Sequence, residues 1–98
     1  MKLINILNKI KQINPEIKFK FKGEFDDNNK RTGYWEYYFD NGKVKRKGNY
    51  LNGKKDGNWE HYYENGNISF TTNYLNGVRH GRWEFYWSNG DMWYKGYI

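Results

Sequence analysis

A ten-residue stretch occurs three times in this chain at a fixed interval, and it constrains the fold more than any other feature. GYWEYYFDNG runs from Gly33 to Gly42, GNWEHYYENG from Gly57 to Gly66 and GRWEFYWSNG from Gly81 to Gly90, each copy beginning 24 residues after the last. Self-similarity at such a period marks a tandem array of small supersecondary units stacked on one another. An irregular single-core globule is excluded.

Asn-Gly recurs at 41–42, 65–66 and 89–90, and again at 52–53 and 76–77. Between alternating apolar runs this dipeptide signals a two-residue hairpin loop, because both central positions of a type I′ turn need positive φ. A two-residue loop at 41–42 sets Phe39 opposite Val44, Tyr37 opposite Arg46 and Trp35 opposite Gly48. The same loop at 52–53 sets Tyr50 opposite Lys55, Arg46 opposite Trp59 and Val44 opposite His61. Both turns put the same residues of the shared strand on the same face, which a one-residue slip would prevent. The prediction is a mainly β, single-layer antiparallel meander of about seven strands: 17–25, 33–39, 43–51, 57–63, 67–75, 81–87 and 91–98.

One face of that sheet is aromatic. It carries Phe19, Phe21, Phe25, Trp35, Tyr37, Phe39, Val44 and Tyr50, then Trp59, His61, Tyr63, Ile68, Phe70 and Tyr74, and finally Trp83, Phe85, Trp87, Met92, Tyr94 and Ile98. Gly23, Gly48 and Gly96 share one position on it, where a missing side chain lets a neighbouring strand's Trp lie flat over the backbone; Thr72 takes that position in the middle of the array. The other face is polar, with Glu36 expected to pair with Lys47, and Lys45 with Glu60.

Before the array, Leu3, Ile6, Leu7, Ile10 and Ile13 form a helical stripe, and Asn14-Pro15 supplies the stop. Residues 1–14 are therefore an amphipathic helix, and 15–98 a β-repeat domain made of a partial repeat, 17–32, and repeats 33–56, 57–80 and 81–98. Asp26 to Thr32 reads as a polar loop. Whether the helix covers the aromatic face or caps the sheet edge stays open at this stage.

The pattern G-x-W-E-x-Y-x-x-N-G at Gly33, Gly57 and Gly81, interleaved with Tyr-Leu-Asn-Gly at Tyr50 and Tyr74, resembles MORN repeats, and among them the bacterial variant of the YwqK-like antitoxin family. The resemblance covers Ile17 to Ile98. It implies an elongated sheet of successive hairpins. It also implies a binding role, as antitoxin or immunity protein in bacterial members and as phospholipid-binding or protein-assembling module in eukaryotic ones.

No catalytic or metal-binding constellation stands out, and neither enzyme activity, a metal nor a cofactor is expected. The two histidines, His61 and His80, substitute for unrelated residues of sister repeats, and no cysteine is present. Glu36, Glu60 and Glu84 fall on different strands opposite polar or basic partners. The glycines sit in turns, never between a strand and a helix as a phosphate loop requires.

Binding is the remaining class. The formal net charge of +6 attracts acidic partners. Lys18, Lys20, Lys22, Lys43, Lys45 and Lys47 are expected to form a basic patch on the polar face. A sheet of this size offers about 750 Å² per face, and a helix of this length covers about 200 Å² of it, leaving aromatic surface for a partner. The candidate contact residues are Trp59, Tyr63, Trp83, Phe85, Trp87, Met92, Tyr94 and Ile98, with the weight on the C-terminal end. A protein partner such as a toxin, occluded by the aromatic face and a basic rim, is the leading expectation. An anionic membrane surface or a homodimer is the alternative, and nucleic acid is not expected, since no recognised binding module for it is present. The apolar run at Leu3–Leu7 is too short for a signal segment, so a cytoplasmic location is expected.

Overall fold

A computed structural model describes residues 2–16 and 18–97. It is mainly β: one helix, α1 (Leu3–Ile13), precedes an antiparallel meander of eight strands. They are β1 (Phe21–Phe25), β2 (Arg31–Tyr38), β3 (Val44–Leu51), β4 (Lys54–Tyr62), β5 (Ile68–Leu75), β6 (Val78–Arg79), β7 (Arg82–Tyr86) and β8 (Met92–Tyr97). The sixth predicted strand, 81–87, differs in one respect: β6 and β7 both pair with β5, so this strand of the array is broken beside Gly81. Strand β1 starts at Phe21, and the predicted start at Ile17 lies outside the described residues. The expected loop at 26–32 is shorter, because Arg31 and Thr32 already belong to β2 and Asn29 takes the left-handed turn conformation at φ 61°.

The five Asn-Gly turns divide into two kinds. At 52–53 and 76–77 both residues have positive φ, as a type I′ turn requires, and Leu51 faces Lys54 while Leu75 faces Val78. At 41–42, 65–66 and 89–90 only the glycine does. There the loop has three residues, closed by Gly42 N–H to Phe39 O (2.9 Å) and Phe39 N–H to Lys43 O (2.8 Å), with the same pair of bonds at Tyr63 and Trp87. The Asn side chain explains the choice: Asn41, Asn65 and Asn89 each accept the backbone N–H two residues on at 2.9 Å, a local turn that competes with type I′.

A three-residue loop shifts the register by one, and a bulge in β3, β5 and β8 shifts it back. Trp35 still faces Gly48 and Tyr37 still faces Arg46, but Val44, Ile68 and Met92 stand opposite Tyr38, Tyr62 and Tyr86 instead of joining the aromatic face as expected. A second irregularity adds two residues at Gly57, moving Arg46 from Trp59 to His61 and replacing the expected Lys45–Glu60 pair by Lys47–Glu60. An even shift preserves the faces.

Those extra residues, repeated at Gly33 and Gly57, let each Trp reach back over the preceding strand. A Cβ built on Gly23 would lie 2.2 Å from Cδ2 of Trp35, and one on Gly48 would lie 2.4 Å from Cδ2 of Trp59. The indole N–H donates to the same strand's backbone: Trp35 Nε1 to Glu24 O and Trp59 Nε1 to Asn49 O, both at 3.0 Å. Tyr50 stands edge-on between the two rings, 5.8 Å and 5.0 Å from their centroids. Trp35, Tyr50 and Trp59 are the buried core, so a single layer makes its own interior from aromatics laid on glycine.

The molecule measures 46 × 30 × 11 Å. That thickness leaves no room for a helix stacked about 10 Å above the sheet, and α1 extends the sheet beyond β1. It is tethered by Lys2 Nζ to Asp27 (2.6 Å) and Leu3 N–H to Asn29 Oδ1 (2.7 Å). The open question of its placement is answered at the edge.

Candidate functional site

Two rows of side chains run across the sheet on opposite faces. On the polar face the register links Lys22, Glu36, Lys47, Glu60, Thr71, Glu84 and Lys95 in succession. Three lysines and three glutamates in one row cancel. Each glutamate also accepts a tyrosine hydroxyl two residues along its strand: Tyr38 to Glu36 (3.0 Å), Tyr62 to Glu60, and Tyr86 to Glu84 (2.6 Å), with Tyr34 adding a second bond to Glu36. Burial, then the neighbouring Glu36 carboxylate, pushes the Tyr34 phenol up to about 12. Glu60→Gln should weaken the charge-assisted bond to Tyr62 and the ion pair with Lys47, costing about 1–2 kcal/mol in a urea melt; an unchanged midpoint would show that the row contributes nothing.

Three of the six lysines of the predicted basic patch face a carboxylate. Lys20 pairs with Asp40 at 2.7 Å, Lys47 with Glu60 at 3.9 Å, and Lys22 stands opposite Glu36. Lys45 lies over the Phe39 ring at 5.8 Å, and Lys18 beside Phe19 in a shallow recess. Lys43 is exposed in the turn after Gly42.

The aromatic face also carries uncompensated charge. Its row is Phe21, Tyr37, Arg46, His61, Phe70, Phe85 and Tyr94. Arg46 lies over the Tyr37 ring at 4.2 Å, Arg31 over Trp35 and Tyr50, and Lys55 over Trp59 and Tyr74. Neither these three nor Arg79 makes a salt bridge among the described residues. His61 stacks on Phe70 at 4.0 Å and is held neutral: burial, then Lys55, Arg46 and Arg79, lower it to about 4. Sequence reasoning missed these cations because Arg31, Lys55 and Arg79 all fell outside the predicted strands, in segments read as loops and turns; their 24-residue spacing was the signal available.

The predicted contact residues separate by position along the array. Trp59 is fully buried and presents no surface to a partner. Tyr63, Trp83 and Phe85 are half-buried, Tyr63 donating to Tyr86 O at 2.7 Å. Trp87, Met92 and Tyr94 are exposed, Met92 on the Tyr86 side of the sheet, and Ile98 lies outside the described residues. Trp93, not expected here, is turned by the β8 bulge toward Phe85 (5.4 Å) and Trp87 (5.3 Å) and is about half exposed. Tyr97 is more exposed still.

No group of three histidine or acidic side chains that could hold a metal occurs among the described residues. No helix among them is long and apolar enough to cross a membrane. No curated protein and no solved structure matches the chain. The family model described as MORN repeat variant matches three times, at residues 31–52, 55–76 and 79–98, with the same 24-residue step as the hairpins described above. Together these matches span well over half of the chain, which belongs to the MORN repeat variant family.

Proposed function

We propose that this chain is a non-catalytic protein-binding module that docks an acidic partner on the C-terminal end of its aromatic face, and that the partner is a toxin which it occludes as a cytoplasmic antitoxin or immunity protein. The observation that carries the reading is the cluster of exposed Trp87, Trp93 and Tyr94 at one end of a face whose Trp35, Tyr50 and Trp59 rings are packed. Exposed aromatics beside unpaired arginine are what interface hot spots are made of. The resemblance to antitoxins motivates the choice of partner.

Coexpression with the product of the neighbouring open reading frame tests it. Growth is expected to be rescued by the native chain and not by the Trp87→Ala, Trp93→Ala double variant, whose urea midpoint should stay close to native because both rings are half exposed. A harmless neighbour, or rescue indifferent to the two substitutions, would refute the reading.

A second reading, an anionic lipid surface, is favoured by the mixed aromatic and cationic character of the same face. It predicts that sedimentation with anionic vesicles falls with salt and with Arg31→Glu plus Arg79→Glu, and hardly at all with Lys47→Glu, whose charge is already balanced.

A further inference from the structure

The third repeat breaks the packing rule of the first two. Trp35 and Trp59 lie on glycine, but the strand behind Trp83 offers Thr72, which is buried, in place of that glycine. Trp83 therefore cannot settle. It leans toward the following strand, where a Cβ on Gly96 would meet its Nε1 at 3.3 Å, and turns edge-on to Phe85 at 4.8 Å. Its indole N–H, which in Trp35 and Trp59 reaches a carbonyl, is buried without an acceptor. An unmet buried donor of this kind costs about 1–3 kcal/mol and is worth explaining.

Beneath the displaced ring a cavity of about 320 Å³ opens, walled by Phe70, Thr72, Trp83, Phe85 and Trp93. Arg79 is the one charged residue lining it. Its counterparts Arg31 and Lys55 each cover a Trp and a Tyr ring, whereas Arg79 makes no such contact among the described residues. The walls are almost wholly apolar, the volume is at the lower end for binding pockets and fits one bulky side chain, and the pocket is continuous with the exposed Trp87, Trp93 and Tyr94.

We infer that this pocket is the anchor of the docking surface, taking a ring-sized apolar side chain flanked by carboxylates on an acidic segment of the partner protein. The inference rests on the protein-binding reading above. The side chain fills the cavity beside the Trp83 ring, and Arg79 selects for negative charge.

Three blocked tripeptides test it by NMR titration at low salt: Asp-Phe-Asp, Lys-Phe-Lys and Asp-Ala-Asp. The first is expected to move the Trp83 indole N–H resonance while leaving those of Trp35 and Trp59 in place, and to bind at least about fivefold tighter than the lysine peptide. The alanine peptide should have no effect. Thr72→Gly, which restores the flat seat, should lower affinity about tenfold, and Arg79→Gln should abolish the preference for the acidic peptide while the ring still binds. Silence of the Trp83 resonance, binding indifferent to peptide charge, or an unaltered affinity in Thr72→Gly would each overturn the inference. A toxin neutralised by the chain with no peptide effect would sink the pocket and leave the docking reading standing; peptide binding without a toxic neighbour would keep the pocket and sink the toxin as its partner.

Discussion

Gly48→Ala should cost more than about 3 kcal/mol, a large part of the 5–15 kcal/mol that holds a domain of this kind together. The added methyl would sit 2.4 Å from the Trp59 ring, and that ring has nowhere to go: it is fully buried, fixed by its bond to Asn49 O and flanked by Tyr50. The informative comparison is Gly57→Ala. Gly57 has φ +73° and nothing within 4 Å of a built Cβ, so its alanine variant suffers only backbone strain, about 1 kcal/mol. Urea midpoints of the two variants measure the difference. If both lose the same amount, the packing of indole on glycine is not what stabilises the sheet.

The second large effect depends on pH. His61 titrates near 4 in the folded chain against 6.5 ordinarily, so the unfolded chain takes up the proton first. Its contribution is complete above about pH 6.5 and is lost as pH falls toward 4. The loss is on the order of 2 kcal/mol once partial exposure of the ring is allowed for. His61→Phe places there the residue that Phe85 already provides in the next repeat, and should flatten stability between pH 7 and 4.5. Asp27 and Asp40, lowered by hydrogen bonds from Lys2 and Lys20, titrate beneath this window. An equally steep acid slope in the phenylalanine variant would assign the effect elsewhere.

Much of this was legible in the chain itself. Period, strand number to within one, the two faces and the Trp-on-glycine contacts follow from Asn-Gly spacing and strict alternation, which are local properties. What was not legible depended on competition between turns. Asn41 can adopt the left-handed conformation of a type I′ turn or accept Lys43 N–H on its side-chain oxygen, and a dipeptide rule does not say which. The resulting bulge moved Met92 off the aromatic face and brought Trp93 onto it, altering the candidate site more than the fold. The charge balance of the polar face was hidden for a related reason: it appears only when the register across all the hairpins is known.

The backward reach of Trp35 and Trp59 gives the array a direction. The first full unit supplies the Trp35 indole to the strand before it and Gly48 to the strand after it, so its two borders are chemically unlike. Fraying at β8 leaves the buried Trp35 and Trp59 on their seats, whereas stripping β1 takes away Gly23 and uncovers Trp35. The molecule therefore behaves as overlapping shingles, easily lifted at the C-terminal eave and resistant at the other, and the end most readily remodelled is the end that carries the exposed rings.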